Sequence, residues 1–322
     1  MATGTRTRHL LRLGDLRVTE LEQLLDLAAR MKEHPYGWVH SLEGDVLVSI
    51  YDKPSTRTRI SFATAASRLG MEDQIIRPDE LQLGRGETIA DTARTLSSYA
   101  AAVTIRTFAQ AKVDELAEHS TIPIVNALTD DHHPCQLLAD LLTIREQHDT
   151  LDGIKVAFVG DGNNVFHSLA LLGATLGIEV RLAHPAGYAP NPRIVERAQA
   201  LAAKSGGKLV FARDPAEIVA GASVVYTDAW TSMGQEAETE ERRDAFAAYQ
   251  LNAALLAIAG SDAIVMHCLP AHRGEEITSD VMDGPQSVIF EQSENRLHVQ
   301  KALLVQLIGA PGIAEQPAAS QP

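Results

Sequence analysis

Short apolar runs alternate with amphipathic stretches along nearly the whole chain. Val46, Leu47, Val48, Ser49 and Ile50 make an almost unbroken apolar run, the pattern of a strand buried on both faces, and predict a strand over 46–52. Val103, Thr104 and Ile105 repeat the pattern, with Arg106 at the C-terminal end. Further runs predict strands over 123–128, 154–159, 178–183, 208–212, 223–227 and 263–266, and a short last one over 288–290. Helices fill the intervals. One over 16–31 has Thr19 and Glu22 as a capping box. Another starts at Ser55 or Thr56, shows Ile60, Ala63, Ala66 and Leu69 at a spacing of three, and stops at Gly70. Others are predicted over 88–99, from Pro134 to about 148, over 192–204 and 215–220, and as one long helix over 242–259. Glu294, Asn295 and Arg296 open a terminal helix that runs to about 308. Strands alternating with helices place the chain in the α/β class, with parallel sheets flanked by helices. Leu151, Asp152 and Gly153 mark a hinge between two such domains.

The strand-to-helix turns carry the chemistry. In open parallel sheets, ligands gather at the C-terminal ends of the strands. Lys53-Pro54-Ser55-Thr56-Arg57-Thr58-Arg59 collects hydroxyls, arginines and free backbone N–H groups at a helix start, which is an anion site. Arg106 and Arg296 are second and third candidates for the same anion. Gln82-Leu83-Gly84-Arg85-Gly86-Glu87 is a loop able to bend close to a ligand. His133 and Gln136 lie three apart on the first turn of a helix and offer donors to a carbonyl or phosphate oxygen. A metal site at His132 and His133 is disfavoured, because adjacent side chains diverge and no third ligand follows at helical spacing. Gly160-Asp161-Gly162-Asn163-Asn164-Val165 resembles half of a dinucleotide fingerprint. Val165 in place of the third glycine, and His184-Pro185 in place of an acid after the next strand, weaken that reading. Asn163 or Asn164 then remains to bind a polar substrate. Asp228 at a strand tip suits a substrate ammonium, and Gly234 lets the loop 230–236 fold over a ligand. Cys268, after the strand at 263–266, is placed for chemistry.

Composition narrows the partners. A chain of 322 residues has room for two α/β domains. A net charge of −14 argues against nucleic acid or an anionic membrane, so arginines clustered in an acidic protein point to a small anion. Cys135 and Cys268 are the only cysteines and form no C-x-x-C, which fits a reducing compartment. No apolar run is long enough to span a bilayer, and no signal peptide is read at the N-terminus, so a cytoplasmic protein is expected. Residues 316–322 are rich in Ala, Ser, Pro and Gln and are expected to fray.

Seven motifs stand in one order across the chain: K-P-S-T-R-T-R, Q-L-G-R-G-E, H-P-C-Q, G-D-G-N-N, D-x-W-x-S-M-G-x-E, H-C-L-P-A-H-R-G-E-E and E-N-R. Together they resemble the carbamoyltransferase family. S-T-R-T-R and H-P-x-Q are shared with its aspartate branch; the S-M-G loop and H-C-L-P point to the ornithine branch. The resemblance implies two domains, each a parallel sheet flanked by helices. A carbamoyl phosphate domain is expected over 1–150, with the C-terminal helix, about 293–310, packing back on it. An ornithine domain over 151–292 and a tail over 311–322 complete the chain. The implied activity is transfer of a carbamoyl group to the δ-amine of L-ornithine, giving citrulline and phosphate, in arginine biosynthesis. Ser55, Thr56, Arg57 and Thr58 are then expected on the phosphate, and Arg106, His133 and Gln136 on the phosphate and the carbamoyl oxygen. Arg296 completes that site, while Gln82 reaches into a neighbouring subunit's site. Asn164, Asp228, Ser232 and Met233 are expected on ornithine, with Cys268 and Leu269 lining the reacting centre. Arg57, Arg106, His133 and Cys268 are the expected catalytic groups. No metal or organic cofactor is expected, because carbamoyl phosphate is already activated. The expected assembly is a homotrimer or a multiple of it. Two departures stand out: Asp52 where the family suggests Glu, and no histidine in Ala109-Gln110-Ala111-Lys112. Lys53 has no firm role. Competing readings are another acceptor (putrescine, an acetylated ornithine or aspartate) and a metabolite-binding regulator on the same fold.

Overall fold

The computed structural model describes residues 7–81, 86–148, 150–231, 234 and 236–309. The chain divides into two compact units, Met1–Leu138 with Arg296–Pro322, and Ala139–Asn295.

Unit 1 opens with α1 (Val18–Glu33), which buries Leu21, Leu24, Leu25 and Ala28 along one face. Its cap is not the predicted one. Arg17 stands at the N-cap, and Glu20 accepts the Arg17 backbone N–H at 2.9 Å, so Thr19 lies inside the first turn. β1 (Val46–Tyr51) leads into α2 (Thr56–Ser67), and β2 (Glu72–Ile76) follows. α3 (Ile89–Ser97), β3 (Ala102–Arg106), α4 (Gln110–His119), β4 (Ile124–Leu128) and the start of α5 (Pro134–Gln147), a helix that runs on into unit 2 after Leu138, come next. The sheet runs β2-β1-β3-β4, all parallel. Val48, Ile50, Val103, Ile105 and Ile124 pack there with Val113 and Leu116 of α4. β2 and α4 were not predicted. β2 is an edge strand with a mostly polar sequence and no continuous apolar run.

Unit 2 contains β5 (Lys155–Val159), α6 (Asn164–Leu176), β6 (Glu179–Ala183), α7 (Pro192–Ser205), β7 (Lys208–Ala212), α8 (Pro215–Val219) and β8 (Val224–Thr227). α9 (Thr239–Phe246), α10 (Ala253–Ala259), β9 (Ile264–His267) and α11 (Ser279–Met282) follow. The sheet is parallel in the order β7-β6-β5-β8-β9. Trp230, Phe246, Val225, Val265 and Ile289 belong to its core.

The single long helix expected over 242–259 is instead α9 and α10. Leu251 leaves helical geometry to bridge Ile277, its N–H bonding the Glu276 carbonyl at 2.8 Å, and Asn252 then caps α10 through the Leu255 N–H at 3.0 Å. The strand expected over 288–290 is also absent: α12 (Ile289–Ile308) begins there, with Phe290 exposed and Ile289 buried as a helix face requires. Only the Val265–Ser287 bridge and the Val288 N–H on the Val265 carbonyl remain of the strand. Glu294, Asn295 and Arg296 therefore lie inside α12, with Arg296 about two turns past its start. In unit 1, Lys301 of α12 donates to the carbonyls of Met31 and Pro35, and Gln306 to that of Glu20, so the end of α12 packs on α1.

Candidate active site

The anion turn forms as its sequence dictates. Ser55 is extended, and its Oγ accepts the Thr58 N–H at 3.2 Å, so it is the N-cap of α2. That puts Thr56, Arg57 and Thr58 on the first turn, with the helix dipole behind them. Tyr51 at the end of β1 is in register with Arg106 at the end of β3, which pairs with Leu128 at the end of β4. Arg106, His133 and Gln136 are thus delivered to one edge of the sheet, all buried. Arg296, 3% exposed, joins them from α12: one nitrogen of its guanidinium donates to Thr58 Oγ1 and another to Gln136 Oε1, both at 2.8 Å. Its fork fixes the start of α2 to the first turn of α5.

His133 is held well below the ordinary imidazole range, first by burial and then by the positive fields of Arg296 and Arg106. At neutral pH it is an uncharged donor between cations. Cys135 behind it is pushed up to about 12 by burial, so it remains a thiol packed in the core.

Lys53, given no role from sequence, ties the turn in place. Its ammonium pairs with Asp130 of the β4–α5 loop and sits 4.4 Å above the Phe108 ring. Next to it, Asp52 accepts Lys112 Nζ at 2.6 Å, from the first turn of α4, and the Thr107 hydroxyl, from the connection after β3. The turn after β1 is therefore held by residues that follow both β3 and β4. The partners lie 60 and 77 residues away in sequence, so no local signal announces them.

Unit 2 builds a different edge. Asn163 caps α6: its Oδ1 accepts the N–H groups of Val165 and Phe166, and its Nδ2 donates to Asp228 Oδ2 at 2.8 Å. Gly162 is required because a Cβ there would lie 2.3 Å from the Pro190 nitrogen. Asp228, just past β8, takes the Ala229 N–H at 2.8 Å and the Cys268 thiol at 2.9 Å on Oδ1. Asn164 is the first residue of α6, beside this cluster in sequence. His267 shapes the turn that carries Cys268. Its Nδ1 accepts the Leu269 N–H at 2.9 Å, which puts the ring proton on Nε2, where it is donated to buried Glu276 at 3.0 Å. Leu269 adopts φ +58°, inside the left-handed region. Glu276 also accepts the His272 N–H at 2.6 Å. Ligand atoms of Asp228, His267 and Cys268 lie within 4.8 Å of one another, but both nitrogens of His267 are engaged, which leaves a pair where zinc takes three or four. Sequence reasoning missed His267, Glu276 and Arg242: the His267–Glu276 bond is fully buried, and Arg242 meets Asp161 across 81 positions. Gln82, Ser232 and Met233 lie outside the described residues.

Two family models match consecutive stretches. The carbamoyl-P binding domain of aspartate/ornithine carbamoyltransferase matches residues 8–146, and the Asp/Orn binding domain matches residues 152–307. An ornithine carbamoyltransferase of Acidothermus cellulolyticus is 52% identical over 306 residues, covering 95% of this chain and 98% of that protein. The solved ornithine carbamoyltransferase of Pyrococcus furiosus superposes with a TM-score of 0.90 at 48% identity, covering 94% of this chain and 97% of that one. That of Gloeobacter violaceus gives 0.84 at 47% identity, over 95% and 100%. Matched along both units and in fold, the chain belongs to the aspartate/ornithine carbamoyltransferase family.

Proposed function

We propose that the cationic edge of unit 1 holds carbamoyl phosphate and the carboxylate edge of unit 2 holds ornithine. The enzyme transfers the carbamoyl group of carbamoyl phosphate to the δ-amine of L-ornithine, giving L-citrulline and phosphate. The observation that carries the assignment of the donor is the Arg296 fork joining Thr58 to Gln136 beside neutral His133.

Ser55, Thr56, Arg57 and Thr58 take the phosphate at the start of α2. Arg106, His133 and Gln136 take the carbamoyl oxygen and the bridging side of the phosphate, and Arg296 completes the site. Charge grows on the carbonyl oxygen and the leaving phosphate as the amine attacks; preorganised donors stabilise it where it develops. Neutral His133 donates a proton in a hydrogen bond without adding a third buried cation. Asp228 pairs with the α-ammonium of ornithine, with Asn164, Ser232 and Met233 around it. Asn164 is taken for the substrate, while the Asn163 carboxamide holds the cap and Asp228. Cys268 and Leu269 line the reacting centre. The attacking δ-amine must be neutral, although a free alkylamine has a pKa of roughly 10.

The carbamoyl phosphate domain is taken as 1–150 with 293–310, and the ornithine domain as 151–292, with the hinge at Leu151, Asp152 and Gly153. The assembly is a homotrimer or a multiple of it, with Gln82 reaching a neighbour's site. Ile60 on α2 and Tyr99 after α3, 59% and 75% exposed, support apolar contact between copies. The setting is arginine biosynthesis in the cytoplasm. Among the described residues no helix is long and apolar enough to cross a membrane. A colorimetric ureido assay tests the acceptor: purified protein with carbamoyl phosphate and, separately, ornithine, putrescine, N-acetylornithine or aspartate. Product with ornithine alone is expected; product with another amine overturns the acceptor assignment, and no product from folded protein overturns the activity.

A further inference from the structure

Arg242 is a charged residue on α9, 5% exposed, and its guanidinium reaches three parts of the acceptor edge at once. One nitrogen donates to Asp161 Oδ2 at 2.8 Å and to the Trp230 carbonyl at 3.0 Å. Nε donates to Glu238 at 2.9 Å, and the guanidinium carbon lies 4.9 Å from the centre of the Tyr188 ring. Asp161 belongs to the turn after β5 that ends in the Asn163 cap. Trp230 stands two residues after Asp228. The guanidinium therefore grips the chain on both sides of the Asn163–Asp228 hydrogen bond.

We propose that Arg242 is a positioning residue for ornithine: by joining the Asp161 turn to the Trp230 carbonyl it sets where the Asp228 carboxylate stands to receive the α-ammonium. It touches no substrate in this account. The inference rests on the assignment of Asp228 to that ammonium.

Three features argue for position over mere packing. A bond to a main-chain carbonyl fixes the backbone itself, so the Trp230 contact constrains the path of the loop leaving Asp228. Its planar guanidinium bonds Asp161 and the Trp230 carbonyl through one nitrogen and Glu238 through another while lying over the Tyr188 ring, a spread that a single lysine nitrogen cannot reproduce. The charge also matters. Burial and the neighbouring Asp228 both push the Asp161 carboxyl up, while the bond from Arg242 opposes them. Arg242 is spent on Asp161 and Glu238, so its charge does not compete with a substrate cation for the Asp228 carboxylate.

The test uses full-length Arg242→Met, Arg242→Lys, Asp161→Asn and Asp228→Asn, each checked by circular dichroism and thermal melting. Steady-state kinetics give KM for each substrate with the other saturating. L-norvaline, which carries the α-ammonium and α-carboxylate but no δ-amine, serves as a competitive probe of position without chemistry. For Arg242→Met we expect the ornithine KM and the norvaline Ki to rise together by about tenfold or more, as a lost charge-assisted bond allows. The carbamoyl phosphate KM should stay within about twofold, and kcat should fall less than KM rises. Arg242→Lys should recover part of the loss, and Asp161→Asn should weaken norvaline in the same direction. If Arg242→Met does not fold, Arg242→Lys and Asp161→Asn carry the test. Unchanged norvaline binding in folded Arg242 and Asp161 variants, alongside loss in Asp228→Asn, overturns the positioning role and leaves the Asp228 assignment standing. Unchanged binding in Asp228→Asn itself overturns the assignment on which the inference rests. Equal loss for both substrates in the Arg242 variants reduces the residue to a general stabiliser and also overturns the proposal.

Discussion

Both units put their chemistry at the C-terminal edge of a parallel sheet, yet they fill that edge with opposite charge. In unit 1 two buried guanidiniums, Arg106 and Arg296, converge beside a helix start, and the imidazole between them is kept neutral by burial and by their field. In unit 2 carboxylates stand at the strand tips: Asp161 is matched by Arg242, and Asp228 accepts bonds from Asn163, Ala229 and Cys268. On the proposed assignment, the same architecture serves a dianion in one unit and an amino acid's ammonium in the other. Fold alone does not select the ligand; the groups seated on the strand ends do. The means of rigidity differ too. The turn after β1 is tied by ion pairs through Asp52 and Lys53, whereas the Cys268 turn is tied by the buried His267–Glu276 hydrogen bond.

The contrast breaks most severely at Arg57. Arg57→Ala removes a donor from the developing charge on phosphate, and kcat/KM should fall by about 10²–10³ while the circular dichroism spectrum is retained; near wild-type turnover would remove the phosphate role. Next comes pH. With a neutral amine as nucleophile, kcat/KM for ornithine should climb about tenfold per pH unit from neutrality until another step takes over. A flat profile from pH 6 to 9 would count against amine deprotonation as the controlling event. A smaller effect is expected at Lys53. Its partner Asp130 is largely exposed, so the pair contributes about 1 kcal/mol or less. Lys53→Met should raise the carbamoyl phosphate KM by about fivefold and leave the ornithine KM unchanged.

The smallest effect concerns His133 and stability. Its native pKa lies below the unfolded value, so between the two the unfolded chain binds the proton and the native one does not. Stability is fully present above about pH 6.5 and falls as pH drops below it, by up to about 1.4 kcal/mol per unit from this group. Urea midpoints at pH 7 and 5.5 should therefore separate more for the wild type than for His133→Gln. Identical separations would mean that His133 titrates normally.

Much of this was legible in the chain. Apolar runs bounded by turn residues located eight of the nine strands of the described residues, because most of them are buried on both faces and leave a continuous signal. β2 escaped because it is an edge strand with Glu72, Asp73 and Gln74 in its first half. Val288, Ile289 and Phe290 misled because a three-residue apolar run fits a strand or one side of a helix equally well. Neither proline nor glycine interrupts 242–259, so the sequence carries no signal of a break; the break at Leu251 comes from a tertiary bridge to Ile277. At the candidate site, groups on strand-end turns could be found from the turn itself: Ser55, Thr58, Arg106, His133, Asp228 and Cys268. Groups acting across long separations could not. Arg296 was found as a residue, but its fork to Thr58 spans 238 positions, and Arg242 meets Asp161 across 81.

The central claim is that each edge holds its own substrate by charge of one sign. The most direct test is a crossed measurement of KM for both substrates in Asp228→Asn and Lys53→Met, each with the second substrate saturating. The account predicts that Asp228→Asn raises the ornithine KM by about ten- to a hundredfold, the range of a lost charged hydrogen bond, and leaves carbamoyl phosphate within about twofold. Lys53→Met should do the reverse on a smaller scale. If both variants weaken both substrates alike, the two edges do not divide the ligands and the account is wrong.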